Sequence, residues 1–148
     1  MAPMRLSDAA RAFLDDHAVG HLATADAAGA PHVVPVCYAR IDDALYFVAD
    51  DKPKRGGPRA LKRLANIAAN PRVALVVDDY DDAWRHLAFL LVHADAAPVD
   101  DPEEYAAAVA ALHARYAPYR AMTLALATHP MVRLRPRRCH FWRMPGAP

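Results

Sequence analysis

At 148 residues with a formal charge of +1, the chain has the length of one domain and no bulk charge to draw it to nucleic acid or a membrane surface. Its make-up, 55% hydrophobic and 24% charged, is that of an ordinary globule, and two cysteines are too few for the disulfide framework of small secreted domains. Cys37 and Cys139 are expected as buried thiols in a reducing compartment; with no bilayer-length apolar run and no apolar signal core, the expected location is cytoplasmic.

Ser7 is placed to cap a first helix whose Ala10, Phe13 and Leu14 share one face, with Gly20 near its end. His21 to Ala25 and Pro31 to Ala39 read as a β-hairpin around Asp26-Ala-Ala-Gly29, where Gly29 is free to take positive φ. Pro35 inside the second strand cannot donate to a ladder, which points to an edge, a bulge or backbone facing a ligand. After the turn at Asp42-Asp43, Ala44 to Ala49 forms a third strand.

A polar, glycine- and proline-rich stretch from Asp50 to Arg59 leads into a helix with Leu61, Leu64 and Ala68 on one side, stopped by Asn70-Pro71. Strands are expected over Arg72 to Val77 and Leu87 to Ala94, joined by an acidic, solvated loop around Asp78 to Asp82. Asp101-Pro102-Glu103-Glu104 supplies a cap, a first-turn proline and a capping-box glutamate for a helix carrying Tyr105, Val109, Leu112 and Tyr116. Met131 to Leu134 and Cys139 to Arg143 read as a last strand or a bulged pair with arginines interleaved. Without internal repeats or a break in composition, residues 1–148 form a single α+β domain in which about six strands, joined mostly by tight turns, make an antiparallel sheet closed into a barrel.

The strongest chemical signal is the group Lys52, Lys54, Arg55, Arg59, Lys62 and Arg63, spanning a strand end, a loop and the first turn of a helix. Backbone donors and cations at such a place suit a phosphate. His17 and His21 have no partners to complete a metal set, and no nucleophile elbow, Walker sequence or dinucleotide fingerprint occurs. Cys37 and His32, an odd number of residues apart on a strand, face opposite sides and make no nucleophile and base. Trp84 and Trp142 are candidates to stack on a planar ring, and Tyr38 is a candidate proton donor.

Phe13 to Thr24, Gly29 to Tyr38, Leu45 to Arg55 and Leu61 to Leu75, in this order and spacing, resemble the pyridoxamine 5′-phosphate oxidase-like, FMN-binding split-barrel superfamily, in particular its branch dependent on the deazaflavin coenzyme F420. The resemblance implies a split barrel of antiparallel strands with peripheral helices, and a homodimer with the cofactor, F420 or FMN, at the subunit interface. It implies that Lys52, Lys54, Arg55 and Lys62 hold the cofactor phosphate, that Val34, Pro35 and Val36 line the ring system with Ala49 and Asp50 beside them, and that Trp142 approaches the partner's cofactor. The expected activity is two-electron hydride transfer between cofactor and a small organic substrate. A non-catalytic flavin, F420 or haem-binding barrel is the alternative, although no histidine stands out as an axial ligand. The arginine-rich ending of true pyridoxamine 5′-phosphate oxidases is missing, which argues against vitamin B6 oxidation.

Overall fold

The chain runs α1 (Asp8–Asp16), β1 (Gly20–Ala25), β2 (Pro31–Val36), β3 (Ala39–Ile41), β4 (Ala44–Val48), α2 (Lys62–Ala69), β5 (Arg72–Asp79), β6 (Ala88–Pro98), α3 (Pro102–Arg115), α4 (Ala117–Arg120) and β7 (Met131–Arg143). These elements come from a computed structural model that describes residues 4–52 and 61–146. The strands form one curled antiparallel sheet in the order β2-β1-β5-β6-β7-β4-β3, with helices around it. No helix among the described residues is long and apolar enough to cross a membrane.

Local chemistry explains several element ends. The Ser7 side chain accepts from the Ala10 N–H and starts α1, and Gly29 takes φ 83° in the β1–β2 turn. At α3 Asp101 accepts from the Glu104 N–H, yet the Glu104 carboxylate does not complete the capping box. It accepts instead from the Tyr46 hydroxyl (2.7 Å) and from the Arg133 guanidinium, fastening α3 to β4 and β7. Burial alone would raise its pKa, but these donors hold it below the usual range.

One strand expectation is corrected. The sheet has seven strands, because the long run from Pro31 breaks after Val36 and resumes as β3. The cause is tertiary: the Tyr116 hydroxyl accepts the Tyr38 N–H, and Arg115 donates to the Tyr38 carbonyl, so Tyr38 leaves the ladder. The last segment, expected as one strand or a bulged pair, is the single strand β7 with a register slip opposite His93 and Ala94. On α2, the buried face carries Asn66 and Ile67 while Ala68 is exposed, one position away from the expected stripe.

The main core lies inside the curl, where Leu22, Leu75, Leu90, Val92 and Leu134 meet Phe13 and Leu14 of α1 and Ile67 of α2. A second core lies outside, where Tyr105, Ala108 and Leu112 of α3 cover Tyr46, Val48 and Met131. Arg115 ties the two together. Its guanidinium donates to the Tyr38 carbonyl (2.8 Å) and to carbonyls at the end of α1, including Leu14 (2.9 Å) and His17, satisfying acceptors the helix leaves unpaired. Arg115→Ala is expected to cost about 1.5–3 kcal/mol, the worth of a charge-assisted hydrogen bond, read as a lowered urea midpoint. An unchanged midpoint would show that α1 holds without this clamp.

Candidate functional site

The curl leaves a split where edge strand β2 faces the end of β4, and a cavity of about 360 Å³ opens there. This volume lies within the roughly 300–1,000 Å³ range of small-molecule sites. One wall is β2 and the residue after it, with Val34, Pro35, Val36 and Cys37. Pro35 pairs with His21 on β1 and has no strand on its other side, so the missing N–H costs the sheet nothing. The opposite wall is Phe47, Val48, Asp50 and Lys52, and Leu61, Arg63 and Tyr119 close the ends.

The polar end centres on Asp50, whose side chain is buried. Its Oδ2 accepts from the Tyr119 hydroxyl (2.7 Å) and the Lys52 ammonium, and its Oδ1 from the Lys52 N–H (3.0 Å). Asp51 points away and meets His129 Nε2 at 2.7 Å. His129 Nδ1 lies 3.3 Å from the Ala125 N–H and accepts from it, which leaves the proton on Nε2 to donate to Asp51. Asp50 and Asp51 of this turn are thereby both tied to the segment between α3 and β7.

Arg63, in the first turn of α2, differs from its neighbours. It is half-buried at the cavity, and among the described residues no hydrogen bond or ion pair engages its guanidinium. Burial pulls its pKa down, against the pull of nearby Asp50. A cationic fork directed at an apolar-walled cavity suits an anionic group on a planar, largely apolar molecule.

Of the residues singled out in the sequence, Val34, Pro35, Val36, Asp50 and Lys52 come together in this cavity. Lys54 and Arg55 lie outside the described residues. Ala49 is buried just behind the wall, its N–H donating to the Pro130 carbonyl. Lys62 turns aside, its ammonium 4.0 Å from Asp26, while Arg63 takes the place in the wall. Trp142 sits on the outer face of the sheet, stacked on Phe89 at 6.0 Å, away from this chain's own cavity. Trp84 is 58% exposed on the loop after β5.

Three expectations change. Tyr38 is no proton donor to a ligand: it is buried, its hydroxyl donates to the Leu14 carbonyl (2.6 Å), and burial pushes its pKa up to about 12. Cys37 is half-buried and lines the cavity instead of lying in the core. Cys139 is also only half-buried. Sequence reasoning missed Tyr119, which no local signal ties to Asp50.

The family model described as pyridoxamine 5′-phosphate oxidase matches residues 6–143. No curated protein sequence matches the chain. Among solved structures, protein Rv2991 from Mycobacterium tuberculosis is similar at TM-score 0.74 and 22% identity, covering 97% of this chain and 88% of its own. A FAD-binding protein (mll6688) from Mesorhizobium loti is 25% identical, with TM-score 0.66 over 94% of this chain and 96% of its own. A structure named F420 reductase is 24% identical, with TM-score 0.64 over 91% and 98% respectively.

Phenols make the pH dependence testable. Burial, then the Asp50 acceptor, pushes the Tyr119 pKa far up, and burial pushes Tyr46 up to about 12 as it does Tyr38. An unfolded phenol ionises near about 10, so the stabilisation is whole below that pH and is lost as the pH climbs towards the folded values. Urea midpoints are expected to fall steadily above pH ~10, with native tyrosinate absorbance lagging that of the unfolded chain. Coincident native and unfolded titrations would contradict the buried phenol network.

Proposed function

The chain belongs to the pyridoxamine 5′-phosphate oxidase family, and from that premise we propose that it is a cytoplasmic oxidoreductase carrying FMN or coenzyme F420 in the cavity between β2, β4 and α2. The observation that carries the reading is the half-buried Arg63 guanidinium at the mouth of an apolar-walled cavity, where no hydrogen-bond partner engages it among the described residues. A FAD-binding protein and an F420 reductase share the fold. When bound, such a ring supplies hydride chemistry for a small organic substrate.

The residues present fit that cargo. Arg63 and Lys52 hold the anionic end, with Asp50 and Tyr119 fixing the Lys52 turn by hydrogen bonds. Val34 and Val36 bound the planar part on one side and Phe47 and Val48 on the other, excluding water from the ring. Pro35, on an edge strand, lines the cavity without leaving an unpaired N–H there.

The reading includes a homodimer. Among the described residues no helix covers the outer face of β1, β2 and the parts of β5, β6 and β7 that carry Val76, Leu91 and Trp142, where Val33 is 61% exposed and Val76, Phe89, Leu91 and Trp142 are half-buried. A face this apolar on a small domain marks an interaction surface. A carrier role without turnover is the second reading. It is favoured by a described lining in which Tyr119 is engaged by Asp50 and no histidine occurs.

Arg63→Ala is expected to weaken binding of the preferred cofactor by roughly ten- to a hundredfold, the effect of losing one charge-assisted hydrogen bond. Fluorescence titration of apo-protein with FMN and with F420, with a parallel absorbance titration with haem, checks this. Tight haem binding alone, or affinity unchanged by the substitution, would remove the flavin reading of this cavity. Turnover with reduced cofactor separates enzyme from carrier. Leu91→Arg, placed on the outer face, is expected to give monomers by sedimentation; a persisting dimer would move the interface elsewhere.

A further inference from the structure

The outer face of the sheet holds a second cavity, remote from the first. The β6–β7 register slips so that Arg138 stands opposite His93 and Pro136 opposite Ala94, leaving Arg137 as the extra residue of a β-bulge. The bulge brings Arg137 and Arg138 together on one flank of β6. On the other flank Arg72 opens β5 opposite Asp95, while Ala74, two residues on, pairs with His93. Arg72, Arg137, Arg138, His93 and Asp95 wall a cavity of about 370 Å³.

Three guanidiniums and an imidazole there face a single carboxylate. Asp95 is already engaged, accepting from Arg137 Nη1. Among the described residues no hydrogen bond or ion pair holds the guanidinium of Arg72 or of Arg138. Their strands are separated by β6, so the backbones stand about 10 Å apart, a gap that two arginine stems can close over the middle strand. Like charges turned to one groove repel, and an anion held between two forks removes the repulsion while satisfying both.

We propose that this groove is an anion site for a phosphate group, separate from the cofactor cavity. Phosphate fits better than a lone carboxylate because it offers oxygens to more than one guanidinium at once, and planar forks recognise such oxygens bidentately. His93, opposite Arg138, lines the same groove as a further ring N–H donor. The bulge gives the site its shape: in a regular ladder Arg137 and Arg138 would point to opposite faces.

Calorimetric titration of the full-length apo-protein at low ionic strength, with inorganic phosphate and with glycerol phosphate, tests the site. Two variants are compared, Arg72→Gln/Arg138→Gln in the groove and Lys52→Gln/Arg63→Gln in the cavity. Binding is expected to survive the cavity substitutions and to weaken at least tenfold in the groove variant, with the rise in Tm on adding phosphate lost in the same variant. Tighter binding of glycerol phosphate would assign the site to an esterified metabolite, equal binding to the free ion. An unchanged groove variant, or an equal response to chloride at matched ionic strength, would overturn the proposal. So would loss of FMN or F420 binding in the groove variant, since the arginines would then belong to a partner subunit's cofactor site.

Discussion

Asp50 is the acidic side chain buried among the described residues, 3% exposed at the end of β4, and a carboxylate so placed needs hydrogen-bond donors. The donors come from two directions. Lys52 folds back from two residues along, and Tyr119 arrives from α4. Satisfying one charge thus fixes the turn that carries Lys52 and the short helix that closes the end of the cavity. The adjacent pair His129 and Asp51 repeats the arrangement one residue on, so the segment before β7 is fastened to the same turn twice.

The elements governed by neighbouring residues were legible in the sequence. Ser7 and Asp101 mark helix starts because a cap acts within three residues, and Gly29 marks a turn because its own φ demands it. Pro35 narrowed β2 to an edge, a bulge or backbone facing a ligand, and the structure puts it on an edge that lines the cavity. What escaped was set by residues distant in the chain. β3 separates from β2 because Arg115 and Tyr116 seize the backbone of Tyr38, and nothing near Tyr38 announces this.

The site shows the same division. A cationic cluster after β4 and at the start of α2 was evident from residue types, but which cation faces the cavity depends on the helix's rotation. Ile67 and Asn66 dock inward, and that rotation turns Arg63 to the cavity and Lys62 towards Asp26. The stripe expected through Ala68 missed Ile67, and Lys62, named by the family resemblance, turns aside while Arg63 of the same cationic group lines the cavity. Cys37 was misplaced for a related reason, since it follows the last residue of β2 and so escapes the inside-outside alternation of the strand.

The sheet order places β4 between β3 and β7, with Val48 opposite Met131 and Leu45 opposite Leu134. One wall of the cavity is therefore held by a strand synthesised long after it. The β1–β2 and β3–β4 hairpins can close as soon as they are made, whereas joining them into one sheet must wait for the distant β4–β7 pairing, whose loop-closure entropy is large. In a growing chain the apolar inner face of β4 stays uncovered until β7 emerges, the period when such surface is most open to aggregation. The pocket is consequently among the last parts of this fold to exist, and a ligand that binds it can select only finished molecules.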